Sequence, residues 1–319
     1  MRVAVVDIGT NSTRLLVADV TDDGRLTERE RRTKVTRLGD RLDQTGVLGD
    51  EAMERVLATL AEYRAVIERE GPERAVAVLT SAVRDAANGE DFLARVRAES
   101  DGLDARVIAG DEEARLTFRG ATSERAAGDA TPTLVIDVGG GSTELVVGSR
   151  DEVSFHVSTQ AGVVRHTERH LATDPPTQSE LRALAADVRT TYAQAVPGPV
   201  RRTPRAAIAV AGTATSLGAI DLDLEHYAPD LVHGHVVSLT GCRRILERLA
   251  ALPEAERREV RGLHPDRAPT IVAGVVMVIE ALELFGLDAI VVSDHDILRG
   301  AALEVVHQAG PNGEVDPRS

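Results

Sequence analysis

The amino-acid sequence predicts an α/β protein made of two domains. Strand-like apolar runs alternate along the chain with helical patterns, which is typical of layered α/β folds. One short glycine-containing motif occurs twice, far apart, as expected if each domain carries its own copy. The length of 319 residues suits about two ordinary domains, and a hydrophobic content of 43% is enough to give each of them a core.

Local patterns predict the individual elements. A helix is predicted from Asp50 to Glu70, because apolar residues recur there at steps of three and four and form one stripe. Asp50 is expected to cap this helix and Gly71 to end it. Strands are predicted at residues 3–6, 14–20, 76–80, 106–109, 133–138, 143–148, 206–211 and 289–293.

A polar, turn-rich segment at residues 122–133 lies directly before the second copy of the motif. Such composition is typical of a connection between domains. We therefore place the domain boundary near Arg125, which divides the chain into domains 1–125 and 126–319.

The composition excludes several classes of protein. A net charge of −14 argues against nucleic-acid binding, which depends on basic surface. Cys242 is the single cysteine, so no internal disulfide can form, and a reducing cytoplasm is the expected location. The apolar segment 270–286 carries two glutamates and is too short for a transmembrane helix, so we expect a buried helix there and no contact with a membrane.

The repeated motif consists of a strand, Asp-x-Gly, a tight polar turn and a second strand. It reads VDIGTNSTRLLV at residues 6–17 and IDVGGGSTELVV at residues 136–147. Neither copy has the glycine-lysine pair of a Walker loop or the third glycine of a dinucleotide fingerprint. The small turn residues instead allow backbone N–H groups to face an anion. The residues assigned to phosphate binding are Thr10, Asn11 and Ser12 in the first copy and Gly139, Gly140, Gly141 and Ser142 in the second.

A carboxylate ends the first strand of each copy. Asp7 and Asp137 are therefore placed to hold Mg²⁺ beside a phosphate, directly or through water. For one copy alone, an Asp side chain folded onto its own turn is an equal alternative. Two copies in register favour ligand binding. The copies differ in sign at one position, where Arg14 aligns with Glu144.

Hydrolysis of a phosphoanhydride needs an oriented water and positive groups on the transferred phosphoryl. Glu112 and Glu113 start a predicted short helix, but the residues alone do not choose between them, and an acidic pair there also complements the helix dipole. Arg84 is predicted in the first turn of a helix that follows a strand, where ligand-facing side chains cluster. A surface ion pair with Asp85 or Asp91 is the alternative for this arginine.

The motifs, in this order, resemble the superfamily of actin, sugar kinases and heat-shock chaperone ATPases. Within it they most resemble the exopolyphosphatase and guanosine pentaphosphate phosphohydrolase family, Ppx/GppA. The resemblance covers most of the chain and rests on VVDIGTNSTRLL, TSAVRDA, GDEEARLTFRGA, VIDVGGGSTELVVG, RAPTIVAG and VSDHDILRGAAL. It implies two actin-like (ribonuclease H-like) domains with a phosphate-binding cleft between them. It also implies a homodimer and a last helix, 297–308, that packs back on the first domain.

For the site, the resemblance implies that Glu113 is the general base and that Arg84 contacts the substrate phosphates. It also implies that Glu144 joins Asp137 around the metal or the attacking water. The expected activity is that of a Mg²⁺-dependent exopolyphosphatase, which releases orthophosphate from the end of inorganic polyphosphate. The acidic composition favours short chains. The alternative is removal of the 5′ γ-phosphate of guanosine pentaphosphate (pppGpp); a superfamily kinase and a catalytically silent alarmone sensor fit the motifs less well.

Three histidines and one basic segment have two interpretations each. His233 and His235 invite a metal interpretation, but their spacing without a third ligand nearby supports it weakly, and His295 is similar. We therefore assign them structural or supporting roles. The basic segment 257–267 either guides a polyanion or forms a solvated helix face.

Overall fold

The computed structural model describes residues 1–100, 102–126, 128–150 and 152–309. The chain divides into two compact units. The first consists of Met1–Gly120 together with Ile297–Ala309, and the second of Ala121–Asp296. The domain ranges 1–125 and 126–319 stay a prediction, and each unit is described below by itself.

The first unit is built on a five-stranded sheet with the order β3-β2-β1-β4-β5. Strands β1, β2 and β3 are antiparallel, whereas β4 and β5 run parallel to β1. The elements of this unit are β1 (Arg2–Ile8), β2 (Ser12–Val20), β3 (Leu26–Val35), α1 (Leu42–Thr45), α2 (Asp50–Glu70), β4 (Arg74–Leu79), α3 (Ser81–Asp85), α4 (Gly89–Glu99), β5 (Asp104–Val107), α5 (Gly110–Thr122) and α14 (Ile297–Ala309).

Helices cover both faces of this sheet. Because successive strand residues point to opposite faces, Val6 packs toward α2 and α4 while Val5 packs toward α5 and α14. Helix α14 lies close to α5: a Cβ on Gly300 would stand 1.8 Å from the carbonyl oxygen of Leu116. The central strands are therefore buried on both sides, which explains their nearly unbroken apolar sequences.

The second unit holds a six-stranded sheet with the order β10-β11-β9-β6-β7-β8. Without the edge strand β10, the remaining five strands of this sheet have the same order, 3-2-1-4-5, as those of the first unit. Its elements are β6 (Thr133–Val138), β7 (Thr143–Ser149), β8 (Glu152–Thr159), α6 (Val163–His170), α7 (Gln178–Ala195), α8 (Gly198–Arg201), β9 (Ala206–Val210), α9 (Ala211–Asp221), α10 (Pro229–Val232), β10 (Val236–Ser238), α11 (Leu239–Ala250), α12 (Glu254–Arg257), a 3₁₀ turn (Pro265–Arg267), α13 (Ile271–Phe285) and β11 (Ala289–Val292).

Helix α13 forms the centre of the second unit's core. Nearly all of its residues are buried, including Glu280, whose carboxylate accepts two hydrogen bonds of 2.9 Å from Arg189 of α7. The buried helix predicted in this segment is thus confirmed. In the part of the chain that the structure describes, no helix is both long and apolar enough to span a bilayer.

Repetition of the 3-2-1-4-5 sheet confirms the predicted fold class of two actin-like α/β domains. The sequence patterns miss three strands, β3, β8 and β10, and all three are sheet edges. The predicted cap of α2 is also wrong by one position. Asp50 is the first helical residue, and Gly49 stands at the cap without a side-chain hydrogen bond. The predicted end at Gly71 is confirmed, with φ at 59°.

Candidate active site

The two copies of the motif form the same turn. In the first unit, the Gly9 N–H donates to the carbonyl of Ser12 at 3.0 Å. In the second unit, the Gly139 N–H donates to the carbonyl of Ser142 at 2.9 Å. Each turn connects two antiparallel strands, as the sequence predicts. We call them hairpin 1 (β1, residues 9–11 and β2) and hairpin 2 (β6, residues 139–142 and β7).

The turn of hairpin 1 is held by neighbouring segments. The carbonyl of Asn11 accepts hydrogen bonds from the N–H groups of Thr36 and Arg37, at 3.0 and 2.9 Å. The Gly39 N–H donates to the carbonyl of Thr10 at 2.9 Å, and the Thr10 hydroxyl lies 3.1 Å from the hydroxyl of Ser81. The turn is therefore fixed by its carbonyl groups, an arrangement that suits a preformed anion site.

Asp7, which is only 4% exposed, forms an ion pair across hairpin 1. It stands directly opposite Arg14 in the strand register. The Arg14 guanidinium donates to Asp7 Oδ2 from Nε at 2.9 Å and from Nη2 at 2.6 Å. Arg14 therefore places a positive charge beside one carboxylate oxygen of Asp7, the predicted metal ligand of the first unit.

Glu113 and Arg84, the predicted base and the predicted phosphate-binding arginine, are in contact. Arg84 Nη1 donates to Glu113 Oε2 at 2.9 Å and to the carbonyl of Ile108 at 3.0 Å. Glu113 is 8% exposed. Burial raises the pKa of Glu113 above its ordinary value; the hydrogen bond from Arg84 opposes this, and the charge of Asp7 adds to it. A carboxylate with a raised pKa is suited to accept a proton near neutral pH.

The adjacent Glu112 lies in a different environment. Its carboxylate accepts hydrogen bonds from Arg106 at 2.5 and 2.7 Å. These bonds lower the pKa of Glu112. Of the two glutamates that the sequence left open, Glu113 has the properties of a base and Glu112 those of a structural ion-pair partner.

In hairpin 2, the glycine turn supports a helix. The carbonyls of Gly139 and Gly140 accept hydrogen bonds from the N–H groups of Val163 and Val164, the first residues of α6, at 3.0 and 2.9 Å. A Cβ on Gly162 would stand 2.2 Å from the carbonyl carbon of Gly141, so only glycine allows this contact.

Glu144, 7% exposed, is oriented by two hydroxyl groups. Ser142 Oγ donates to Glu144 Oε1 at 2.6 Å, and Ser158 Oγ donates to the same oxygen at 2.7 Å. Glu144 lies on β7, between its two neighbours in the strand register. Asp137 stands opposite it on β6, and Ser158 stands opposite it on β8. Side chains in register project from the same face of a sheet, so hairpin 2 presents two carboxylates side by side.

The structure thus brings the predicted residues together in two groups, one in each unit. The first group contains Asp7, Thr10, Arg84 and Glu113, and the second contains Asp137, Ser142 and Glu144. Sequence reasoning missed Ser81 and Ser158, which position Thr10 and Glu144. A hydroxyl directly after a strand could have pointed to Ser81. The register that places Ser158 has no local signal.

The histidines form polar clusters. His233 Nε2 lies 3.2 Å from Glu124 Oε2, and its ring packs against His295 with centroids 4.1 Å apart. His235 Nε2 lies 2.9 Å from Asp221 Oδ2. The sequence showed no third metal ligand near these histidines. In the structure, Glu124 lies close enough to His233 and His295 to be one.

The basic segment 257–267 contacts acidic residues instead of forming an open patch. Arg257, Arg258 and Arg261 form ion pairs at 2.6, 2.6 and 3.2 Å. Their partners are Asp174, Glu254 and Asp223, respectively.

Comparison with known proteins agrees with this geometry. The chain is 37% identical over 315 residues to "Exopolyphosphatase 2" of Mycobacterium tuberculosis, covering 95% of this chain and 98% of the relative. A crystal structure of the Aquifex aeolicus member of the Ppx/GppA family superimposes with a TM-score of 0.83 at 32% identity, covering 97% and 99% of the two chains. An exopolyphosphatase structure from Cytophaga hutchinsonii gives a TM-score of 0.86 at 26% identity, covering 96% and 98%.

Two actin-like α/β units, each with one copy of the same glycine-containing hairpin, together with these relatives define an enzyme class. The chain is a phosphoanhydride hydrolase. The Ppx/GppA phosphatase family matches residues 16–309, and the chain belongs to this family. The family resemblance of the sequence motifs is thereby confirmed.

Proposed function

We propose that this protein is an exopolyphosphatase that releases orthophosphate from the end of short inorganic polyphosphate chains. The observation that carries the proposal is the contact between Glu113 and Arg84, a buried carboxylate and a guanidinium 2.9 Å apart on the unit that carries hairpin 1. Two of the relatives described above are named exopolyphosphatases, which favours polyphosphate as the substrate.

In the proposed reaction, Glu113 accepts a proton from the attacking water. The water oxygen forms a bond to the terminal phosphorus, and the bond from that phosphorus to the bridging oxygen breaks. The products are orthophosphate and a chain shorter by one phosphate. A phosphate bound by Arg84 would draw this guanidinium away from Glu113, and since Arg84 lowers the pKa of Glu113, substrate binding would strengthen the base.

The residues of hairpin 2 fit a magnesium ion. Two carboxylates directly opposite each other in a sheet repel, and a divalent cation between them removes this repulsion. Oxygen ligands are also those that Mg²⁺ prefers. We propose that Asp137 and Glu144 hold the ion, which when bound would neutralise phosphate charge. Asp7, with Oδ2 engaged by Arg14, would take part only through a water.

Short chains are proposed because of the charge distribution. The protein carries a net charge of −14, and the arginines of segment 257–267 described above face acidic partners. Little open positive surface is available in that segment to hold a long polyanion. Removal of the γ-phosphate of pppGpp breaks the same type of bond and is the second candidate, favoured by the family to which the chain belongs.

The test compares phosphate release from tripolyphosphate, long-chain polyphosphate and pppGpp, with Mg²⁺ present. We expect the highest kcat/KM for tripolyphosphate and a loss of about 10³-fold in Glu113→Gln, because general bases contribute about 10²- to 10⁴-fold. Glu112→Gln is the matched control and should retain activity within a few-fold. Release from pppGpp alone would replace the proposed substrate, and equal activity of wild type and Glu113→Gln would remove the proposed base.

Assembly and location are also proposals. We propose a homodimer, which light scattering coupled to gel filtration would measure directly. A cytoplasmic location is proposed from the single cysteine, which is buried and whose pKa burial raises to about 12, leaving it unreactive.

A further inference from the structure

Helix α6 carries two histidines on one face, and α7 places a carboxylate beside them. His166 and His170 are four residues apart, so their side chains lie one turn apart on the same side of the helix. Asp187 of α7 has its Oδ2 atom 3.6 Å from His166 Nε2 and 2.7 Å from His170 Nε2. One donor atom from each of these three residues lies within 4.8 Å of the other two.

His166 is the unusual member of this cluster. Its side chain is 1% exposed, and neither ring nitrogen makes a hydrogen bond. A buried polar group without a partner is destabilising, and such groups in native proteins commonly indicate an ion or a water at the site. The buried imidazole faces His170 and Asp187, which are 15% and 32% exposed, so an ion could enter from that side.

We infer that His166, His170 and Asp187 form a binding site for a divalent transition-metal ion of the Zn²⁺ type, which joins α6 to α7. None of these residues belongs to the groups assigned to hydrolysis. The inference is therefore independent of the proposed function.

The donor set and its spacing fit such an ion. Imidazole nitrogens suit zinc and similar metals, whereas Mg²⁺ prefers oxygen ligands. Tetrahedral ligands about 2.0 to 2.1 Å from Zn²⁺ lie roughly 3.4 Å from each other. The separation of 3.6 Å between His166 and Asp187 is close to this value, and the 2.7 Å hydrogen bond between His170 and Asp187 would open on binding. Three protein ligands leave one position for water.

Burial and a competing cation also act on this cluster. Burial lowers the pKa of His166 to about 4, and the charge of Asp187 opposes this. Arg169 competes for the same carboxylate, at 3.2 Å from Asp187 Oδ2, but its side chain is 53% exposed and can turn into solvent when an ion binds.

The second cluster of this type, Glu124, His233 and His295, is less suited to a metal. His233 Nδ1 accepts a hydrogen bond from the Asp294 N–H at 3.2 Å, which leaves the proton on Nε2. That proton points to Glu124, so His233 already acts as a hydrogen-bond donor there. A metal would have to displace this proton, as it would at His170. The second cluster, however, has no counterpart of His166, a buried imidazole without a hydrogen bond.

Cobalt(II) titration of the purified, metal-free full chain tests the inference. Co²⁺ replaces Zn²⁺ in such sites and gives visible absorption when bound by nitrogen and oxygen ligands in a tetrahedral geometry. Excess Mg²⁺ is present throughout to occupy carboxylate sites. We expect one equivalent of Co²⁺ to bind with this absorption, and Zn²⁺ to displace it.

Two variants at the more exposed ligands, His170→Ala and Asp187→Asn, avoid the folding defect that a change at buried His166 could cause. Each should weaken binding roughly 100-fold or more, since even supporting residues around a metal cost 10- to 100-fold. His233→Ala is the matched control and should bind as wild type does. The inference is overturned by absence of a stoichiometric absorption band in wild type, by its retention in His170→Ala or Asp187→Asn, or by its loss in His233→Ala.

Discussion

Hairpin 1 and hairpin 2 have the same type of turn, but the charged residues that stand opposite each other on their strands differ. Both turns are closed by the same glycine-to-serine hydrogen bond, at 3.0 and 2.9 Å. Across the strands, however, Asp7 faces Arg14, whereas Asp137 faces Glu144. In hairpin 1 the negative charge has a guanidinium beside it. In hairpin 2 two carboxylates stand together, and two serine hydroxyls hold one of them.

This difference shows how two copies of one turn can surround the aspartate of the first strand with different charges. The turn is closed in the same way in both units, and one position in the second strand decides whether an arginine or a glutamate stands opposite the aspartate. On this basis we assign the metal to hairpin 2 as a proposal. Hairpin 1 acts on Glu113 through the charge of Asp7, which raises the pKa of this glutamate.

Removal of Mg²⁺ is the largest effect that the comparison predicts. Chelation with EDTA should abolish phosphate release, and added Mg²⁺ should restore it. If hairpin 2 holds the ion, Asp137→Asn should raise the Mg²⁺ concentration for half-maximal rate about 10-fold or more, because one of two charged ligands is lost. Arg14→Gln on hairpin 1 is the control, with an unchanged Mg²⁺ requirement. A greater Mg²⁺ requirement in Arg14→Gln than in Asp137→Asn would reverse the assignment.

Neutralising Glu144 should cost about 100-fold in kcat, because Glu144 is one of the two proposed ligands of the ion that neutralises phosphate charge. Binding of substrate, measured by calorimetry, should remain detectable, since the turn N–H groups are retained. Glu152→Gln, an exposed glutamate on the adjacent strand β8, should leave the rate unchanged. A Glu144→Gln variant as active as wild type would contradict the role of Glu144.

Removing the cation of hairpin 1 should affect stability more than turnover. Arg14→Gln leaves the mostly buried Asp7 without its guanidinium and should lower the free energy of unfolding by about 2 kcal/mol, less than a fully buried pair costs. Urea denaturation measures this change. Arg32→Gln, an exposed arginine paired with Glu30, is the control and should change the free energy by less than about 0.5 kcal/mol. Equal effects of the two substitutions would mean that the Asp7–Arg14 pair contributes no more to stability than an exposed ion pair does.

The same Arg14→Gln variant should shift the pH dependence of hydrolysis. The base must be deprotonated, so kcat/KM falls as pH falls through the pKa of Glu113, which is already raised by burial and by the charge of Asp7. Without Arg14 the charge of Asp7 is less compensated, and the pKa of Glu113 rises further. The acid limb of the pH profile should therefore move to higher pH. A shift to lower pH would show that the charge of Asp7 does not raise the pKa of the base.

The smallest predicted effect concerns the orientation of Glu144. Ser158→Ala removes one of two hydroxyl donors and should reduce kcat by several-fold, equivalent to about 1 kcal/mol. Ser154→Ala is a matched control on the same strand, because Ser154 donates only to the carbonyl of Val147. If both variants reduce kcat equally, the loss comes from a change in strand β8 and not from the orientation of the Glu144 carboxylate.

Prediction from sequence identified the interior strands but missed three of the four edge strands; β5 is the edge strand that it found. Interior strands such as β1 and β6 are buried on both faces and have apolar runs that identify them. Strand β3 reads LTERERRTKV, and most of its side chains are exposed. Charged edge strands prevent unwanted pairing between chains, so the property that makes β3 a good edge also removes the apolar pattern from which a strand is predicted.

The candidate site follows the same division. Residues inside the repeated motif were identified from sequence because the motif is local. Their partners could not be, since Ser81 and Ser158 meet Thr10 and Glu144 only through the order and register of strands. The cluster on α6 was not predicted, because Asp187, which joins His166 and His170, comes from another helix.

The place of α14 has a consequence for synthesis. Its residues Ile297, Leu298 and Ala302 cover one face of a sheet whose first strand, β1, is synthesised long before them. The second unit, by contrast, is continuous in sequence and can complete its core as it leaves the ribosome. The first unit must wait with an uncovered apolar surface around Val3 and Val5 until Ile297–Ala309 emerges, so a chain arrested before that point would be a target for chaperones or aggregation.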